Sequence, residues 1–454
     1  MRILSLTAGA ASMYCGSCLR DNALAAELMR RGHDVTLLPF YTPTLTDEPN
    51  VSRQKRVFFG GISVYLQQHL SLFRHTPHLV DRLWDAPRVI SALAGGAIAV
   101  DPKQLGALTV STLRGEDGHQ RKEIEKLLSW VVAEPRPDVV NIPYTLLIAL
   151  AAPLRRALGC PIVVTLQGED LFLDGLPEPF RTQALDLIRS QIAHVDRFIA
   201  VSDYYATFMR EYLSIPLEKM RVARIGVNTS DLAITPALSE TVVSGRVEGS
   251  RRRQDPFTIG YFARVAPEKG LHNLIEAYRV LRQERGVPRS RLLAAGYLAP
   301  EHRSYLDGLE RQLESWGLGD EFEYRGAVER AAKVAFFHGI DVLSVPSGYH
   351  EPKGLYVLEA MACGVPVVQP AHGAFPEIIG RTHGGVLARS EAGTDVADAL
   401  YEVWRNPEHA AALGRNGAAG VRAQYTVGHM AEQTLAVFEE SINTHTGEAN
   451  RVTR

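Results

Sequence analysis

His350-Glu351-Pro352-Lys353-Gly354-Leu355-Tyr356-Val357-Leu358-Glu359-Ala360-Met361-Ala362-Cys363-Gly364-Val365-Pro366-Val367-Val368 is the run from which the fold is read. A polar loop with Pro and Gly leads into a short helical run, Gly364 stands where a C-cap falls, and Val-Pro-Val-Val reads as the next strand. In parallel α/β sheets, ligands bind where strands hand over to helices, because the N–H groups and dipole of a helix start attract anions. Glu351 on the loop and Glu359 past the first turn then bracket a polyhydroxylated ligand, with phosphates resting on the amides near Gly354 and Leu355. Two acceptor-only carboxylates suit hydroxyl groups. The plainer reading of the same pair is helical: a carboxylate near a helix N-terminus gains about 0.3–1 kcal/mol.

Working outward, strand-like runs alternate with helical patterns. Ile3-Leu4-Ser5-Leu6, Val35-Thr36-Leu37-Leu38, Val139-Val140-Asn141-Ile142, Ile162-Val163-Val164-Thr165 and Phe198-Ile199-Ala200-Val201 read as strands, with helices at 22–31 and 179–193. Such alternation predicts a parallel sheet covered on both faces. Periodicity stops at about 239–255, where Arg251-Arg252-Arg253 reads as a solvated linker. A second series then opens with a strand at 257–262 and a helix at 271–282, followed by strands at 291–295, 321–324, 341–345 and 366–369. The expected architecture is two Rossmann-like α/β domains in tandem: residues 1–240, a linker at 241–256, residues 257–425, and a closing segment at 426–454. A ligand shared by both domains would lie in the cleft between them. The helical run 430–442 is expected to pack back across the first domain, with a polar tail after about Thr444. The irregular stretch 58–127, with Tyr65, Phe73 and Trp84, is a place for an acceptor-specific insertion or for ordinary helical packing.

The 454 residues fit two large domains or three ordinary ones. A net charge of -2 with 46% hydrophobic residues gives no basic excess that would point to nucleic acid. The N-terminal run reads as a first strand rather than a signal peptide. The uncharged stretch at 89–100 is too short to cross a bilayer. A cytoplasmic protein is expected, with peripheral contact at the membrane's inner face left open. Four cysteines make no disulfide framework in a chain this long. Cys15-Gly16-Ser17-Cys18 has redox or metal spacing, but no second pair completes a zinc site, and it reads as small residues in a tight loop.

The strand at 257–262 delivers Arg264, and Lys269 follows just before Gly270 and a helix start. Two fixed cations there make a diphosphate site, each charge-assisted bond contributing about 1.5–3 kcal/mol. The alternative is a surface ion pair to Glu268.

Arg264 to Gly270, Glu351-Pro352-Lys353-Gly354-Leu355 and Glu359-Ala360-Met361-Ala362-Cys363-Gly364 together resemble the retaining glycosyltransferases of family 4, of the GT-B fold. Gly16, Arg31-Gly32-His33-Asp34-Val35, Ala200-Val201-Ser202 and Gly373-Ala374-Phe375-Pro376-Glu377 carry the likeness across nearly the whole chain, weakly at 50–130. The resemblance implies a C-terminal domain that binds a nucleotide-diphosphate sugar and an N-terminal domain that holds the acceptor. Arg264 and Lys269 would hold the diphosphate, Glu359 the ribose hydroxyls, and Glu351 with Gly354 and Leu355 the transferred sugar. The base would lie near Gly326 and Val328, and Gly16 would let the N-terminal loop approach the phosphates without a Cβ.

Physically, breaking a glycosyl-phosphate bond puts negative charge on the leaving diphosphate. A fixed cation there is typically worth about 10²–10³-fold in rate. The chain contains no Asp-x-Asp motif, so no metal and no cofactor are expected, and the catalytic group is Glu351, Arg264 and Lys269. Retention by front-face attack, the leaving phosphate helping to deprotonate the acceptor, is what the resemblance implies. The chain departs from the pattern at Gln167, where many relatives carry a histidine; Gln cannot ionise. Glu169 and Asp170 are then acceptor-side candidates or caps of the following helix. Lys353, where relatives often have an aromatic residue, is placed to reach a donor-sugar hydroxyl or an acidic donor. His119 and His372 read as surface or packing residues. Glycan, lipid and small-molecule acceptors all fit, and a non-catalytic sugar-nucleotide-binding module or a glycosyl phosphorylase is the alternative.

Overall fold

The computed structural model describes residues 1–9, 15–53, 102–232 and 256–452. The expected linker, its arginine run and the aromatic part of the expected insertion lie outside these residues. The chain divides into two compact units, Met1–Arg224 with Met430–Arg454, and Ile225–His429.

The first unit carries six parallel strands, β1 (Arg2–Thr7), β2 (Asp34–Pro39), β3 (Val139–Ile142), β4 (Ile162–Leu166), β5 (Arg197–Ala200) and β6 (Met220–Val222), in the order β2-β1-β3-β4-β5-β6. Every residue of β3 and β4 is buried, as expected of a sheet covered on both faces. Leu6, Ile142, Val164 and Phe198 share its core with Tyr205, Met209 and Leu213 of the helix that follows β5. The loop-to-helix joins are chemically specified. Ser202 Oγ accepts from the Tyr205 amide at 3.1 Å and starts the helix Asp203–Leu213. Cys15 is the N-cap of the helix Gly16–Arg30 and Cys18 is buried in its first turn, so the CxxC run opens a helix rather than filling a loop.

The final helix runs Val427–Val452, continuing through Thr444, where the sequence reading begins a polar tail. Glu440 on it accepts from Arg197 of β5 at 3.0 Å and from Arg221 of β6 at 2.8 Å. That carboxylate, shared by arginines of the last two strands, ties the C-terminal segment to the first unit.

The second unit carries β7 (Thr258–Phe262), β8 (Arg291–Ala295), β9 (Phe322–Tyr324), β10 (Val342–Ser344), β11 (Val367–Pro370) and β12 (Gly385–Ala388), all parallel, in the order β12-β11-β10-β7-β8-β9. In each sheet the chain starts at an inner strand, builds to one side, then returns to build the other. The reversal falls between β1 and β3 in the first sheet and between β7 and β10 in the second. Outside the carboxyl ends of the strands at such a reversal, the two following loops part and leave a ligand crevice.

Candidate functional site

At the reversal of the second sheet, the loop after β7 and the loop after β10 are laced together. Ser347 Oγ donates to the Glu268 carbonyl at 2.9 Å, and Asn273 donates to the Pro346 carbonyl at 3.2 Å. Gly270 sits at φ +72°, and a Cβ there would fall 1.9 Å from the Pro346 oxygen. Only glycine permits both the left-handed turn and this approach.

The lacing brings Lys269 to Glu351 across 82 residues of sequence, in a direct Nζ–Oε2 ion pair. Glu351 is 5% exposed. Burial alone would push its carboxyl up, but the charge and hydrogen bond of Lys269, with help from Lys353 and the Gly354 amide, hold it below the usual carboxylate range. The Lys269 ammonium also stands 5.6 Å from the centre of the Tyr349 ring. Gly354, at φ +62°, is the N-cap of the helix Leu355–Ala362, so Leu355 opens that helix and its amide is among those a helix start presents. Arg264 pairs with Glu268 at the surface, the ion pair that the plainer reading foresees.

Glu359 stands in a second ion-pair network. Lys333 Nζ donates to its Oε1 at 2.6 Å, and Arg330 lies 4.0 Å from the same oxygen. Arg330 in turn grips Asp231 through Nε at 2.8 Å and Nη2 at 2.6 Å. Lys333 and Glu359 are 4% and 5% exposed. Gly326, after β9, has φ +71° with open space where a Cβ would project, and half-buried Val328 packs on the neighbouring core. His372 is a packing residue, its ring stacked on His350 at 4.4 Å between centroids.

The acceptor-side candidates lie in the first unit. Gln167, after β4, donates to Asp21 Oδ1 at 3.1 Å and to the Pro143 carbonyl at 3.0 Å. The Glu169 carboxylate accepts from the amides of Gln167 at 2.8 Å and Thr145 at 3.1 Å, so it braces the loops after β3 and β4. Asp170 accepts from the Tyr205 hydroxyl at 2.7 Å. Glu169, the N-cap of the short helix Asp170–Asp174, makes no side-chain cap bond to it. Gly16 is the first residue of the helix after β1.

Sequence reading did not find Lys333, Arg330, Arg20 or Asp21. For Asp21 a signal exists: with Leu24, Ala25 and Leu28 it falls at i, i+3, i+4 and i+7, on the buried stripe of its helix. Lys333 has the same signal, with Phe336, Phe337 and Ile340 at i+3, i+4 and i+7, although its link to Glu359, 26 residues on, comes from packing.

Two Rossmann-like parallel sheets in tandem are the architecture of the GT-B class. The two halves match separate family descriptions, Glycosyl transferase 4-like domain over residues 21–226 and Glycosyl transferases group 1 over residues 247–419. The chain belongs to the family 4 glycosyltransferases. It is similar to the D-inositol 3-phosphate glycosyltransferases of Stackebrandtia nassauensis, 27% identical over 60% of each chain, and of Pseudarthrobacter chlorophenolicus, 28% identical over 86% of this chain and 92% of the relative. The match to Stackebrandtia thus spans less than two thirds of that relative's length. Among solved structures, sucrose-phosphate synthase from Thermosynechococcus elongatus superposes with a TM-score of 0.68 at 18% identity, covering 97% of this chain and 99% of that one. HepE of Anabaena in complex with UDP gives 0.67 at 18% identity, covering 97% and 100%. At such identities the likeness shows the fold. Among the described residues no helix is long and apolar enough to cross a membrane.

Proposed function

We propose that this chain is a retaining, metal-independent glycosyltransferase that moves a sugar from a nucleotide-diphosphate sugar to an acceptor hydroxyl. The observation that carries the reading is the Lys269–Glu351 pair at the reversal of the second sheet, with Arg264 on the same loop. The solved relatives in complex with UDP and with UDP-glucose support the donor class.

The residues divide the work. An ammonium has three N–H donors and a guanidinium five, so Lys269 and Arg264 keep their carboxylate partners while adding bonds to a diphosphate. Because the cations are already oriented, little reorganisation is needed as charge develops on the leaving group. Glu351, kept ionised by Lys269, accepts hydroxyls of the transferred sugar and faces the positive charge that grows on its ring. Lys333 fixes Glu359 through Oε1 and leaves Oε2 to the ribose diol. The base lies near Gly326 and Val328. The N-terminal unit holds the acceptor, and the leaving phosphate takes the proton from the attacking hydroxyl on the same face.

Thermal melting against UDP, GDP, ADP and their sugar conjugates, first with chelator and then with magnesium, tests the reading. A ligand at about a hundred times its dissociation constant stabilises the fold by ~2.7 kcal/mol. One nucleotide class is expected to raise the midpoint equally with and without metal, and Arg264→Ala to abolish the rise. No response to any nucleotide, or a full response in Arg264→Ala, rejects the assignment.

A further inference from the structure

In the N-terminal unit the acceptor-side candidate Gln167 joins Arg20 and Asp21, to which the proposed function gives no task, in a buried polar cluster. It lies at the reversal between β1 and β3, the counterpart of the donor crevice. Asp21 Oδ1 accepts from Arg20 Nη1 at 3.1 Å and from Gln167 Nε2 at 3.1 Å. Arg20, Asp21 and Gln167 are 1%, 3% and 4% exposed. Four of their polar atoms nevertheless have no hydrogen-bond partner: Arg20 Nε and Nη2, Asp21 Oδ2 and Gln167 Oε1.

A buried group without a partner costs about 1–3 kcal/mol, and more when it is charged. The identity of the four atoms says what would satisfy them. Nε and Nη2 lie on one edge of the guanidinium, the edge that grips a carboxylate or phosphate through two parallel N–H···O bonds. Gln167 Oε1 and Asp21 Oδ2 are acceptors, and hydroxyl groups are their natural donors. The neighbouring Glu169 carboxylate is already taken up by the Gln167 and Thr145 amides and does not compete for the guanidinium. An oxyanion flanked by hydroxyls therefore meets all four demands, at the place where an open parallel sheet takes a ligand.

We propose that Arg20, Asp21 and Gln167 form an acceptor subsite for the oxyanion, phosphate or carboxylate, of a polyhydroxylated acceptor. The proposal rests on the glycosyltransferase reading and adds to it the chemical class of the acceptor. Gln167 then has a task that an ionisable residue does not perform better: it orients Asp21 with its amide and offers its carbonyl oxygen to a hydroxyl.

The test is calorimetric titration of the full chain, the donor loops filled with whichever of UDP, GDP or ADP raises its melting point. The probes are myo-inositol monophosphate, glucuronate and neutral myo-inositol. One of the two anions is expected to bind at least about tenfold more tightly than myo-inositol, and which one does so separates phosphate from carboxylate. Arg20→Lys keeps the charge but not the two-pronged edge, and is expected to weaken that anion by about tenfold without moving nucleotide affinity. If neither anion exceeds myo-inositol, or if Arg20→Lys binds as the parent does, the subsite is refuted. Should Arg20→Lys fail to fold, Gln167→Glu replaces it: a carboxylate beside the oxyanion must weaken it by a similar factor, and unchanged affinity overturns the proposal. If the parent binds none of the nucleotides, the donor reading fails separately, and the same probes are titrated into Arg264→Ala without nucleotide.

Discussion

At the reversal between β7 and β10, three cations already have an opposite charge on them: Lys269 meets Glu351, Arg264 meets Glu268, and Lys333 meets Glu359. At the reversal between β1 and β3, Arg20 has one bond to Asp21 and two nitrogens with no partner. The topology is shared, yet one crevice is electrostatically complete before any ligand arrives and the other is not. A ligand of the first adds to cations that are held in place, whereas a ligand of the second would relieve an interior that is costly without it. The first arrangement is preorganised; the second sacrifices stability for recognition, as functional sites often do.

The largest expected effect breaks the completed crevice. Lys269→Met leaves Glu351 buried without its cation, and removing one partner of a buried pair typically costs about 3–5 kcal/mol. Turnover should fall by about 10²-fold or more. The double variant Lys269→Met/Glu351→Gln should recover most of the stability and none of the turnover. Denaturant unfolding beside donor-consumption rates reads both quantities. Arg264→Ala is the internal contrast, because its partner sits at the surface, where an ion pair is worth about 0–1 kcal/mol. It should melt nearly as the parent does while losing comparable turnover. Equal stability losses in the two single variants would show that the crevice is not divided in this way.

A smaller effect is expected one helix away. Lys333→Met removes the ammonium that fixes Glu359 Oε1. Nucleotide affinity should fall by about tenfold, and more for a ribonucleotide than for its 2′-deoxy counterpart, since only the former offers the full diol. A uniform loss for both would place Lys333 in fold stability rather than ribose recognition.

These contrasts also mark what the amino-acid order discloses. The runs around Arg264 and Glu351 are legible because strand, Gly-containing loop and helix follow one another within a few residues, so their chemistry is local. Strand order is set by crossovers, and β12, with a half-exposed pattern, gives little periodic signal. The Lys333–Glu359 and Arg20–Asp21–Gln167 contacts are non-local or sit among helical charges that ordinarily face water. Asp21 and Lys333, each on an apolar stripe, are the charges among them whose burial the pattern announces.

The smallest effect sharpens the comparison through its sign. Glu351 is pushed up by burial but held down on balance, chiefly by Lys269, so its folded pKa lies below the unfolded value of about 4.3. Its contribution to stability is present above that unfolded value and is lost as pH falls through the folded one. Asp21 is the reverse: burial outweighs the opposing pull of Arg20 and raises its pKa above the unfolded value of about 3.9. Its contribution is fully present below the unfolded value and is lost as pH rises through the folded one. At neutral pH the Glu351 carboxylate therefore supports the fold and the Asp21 carboxylate opposes it. Glu351→Gln should melt below the parent at pH 7, and Asp21→Asn above it; the Asp21 difference should shrink as pH falls toward about 4, and the Glu351 difference only below about 4. A change of 1 kcal/mol moves the midpoint of a unit this size by about 2–4 °C, so calorimetry across that pH range resolves the signs. If Asp21→Asn melts below the parent at neutral pH, the N-terminal reversal is as electrostatically complete as the C-terminal one, and the case for a ligand there loses its energetic footing.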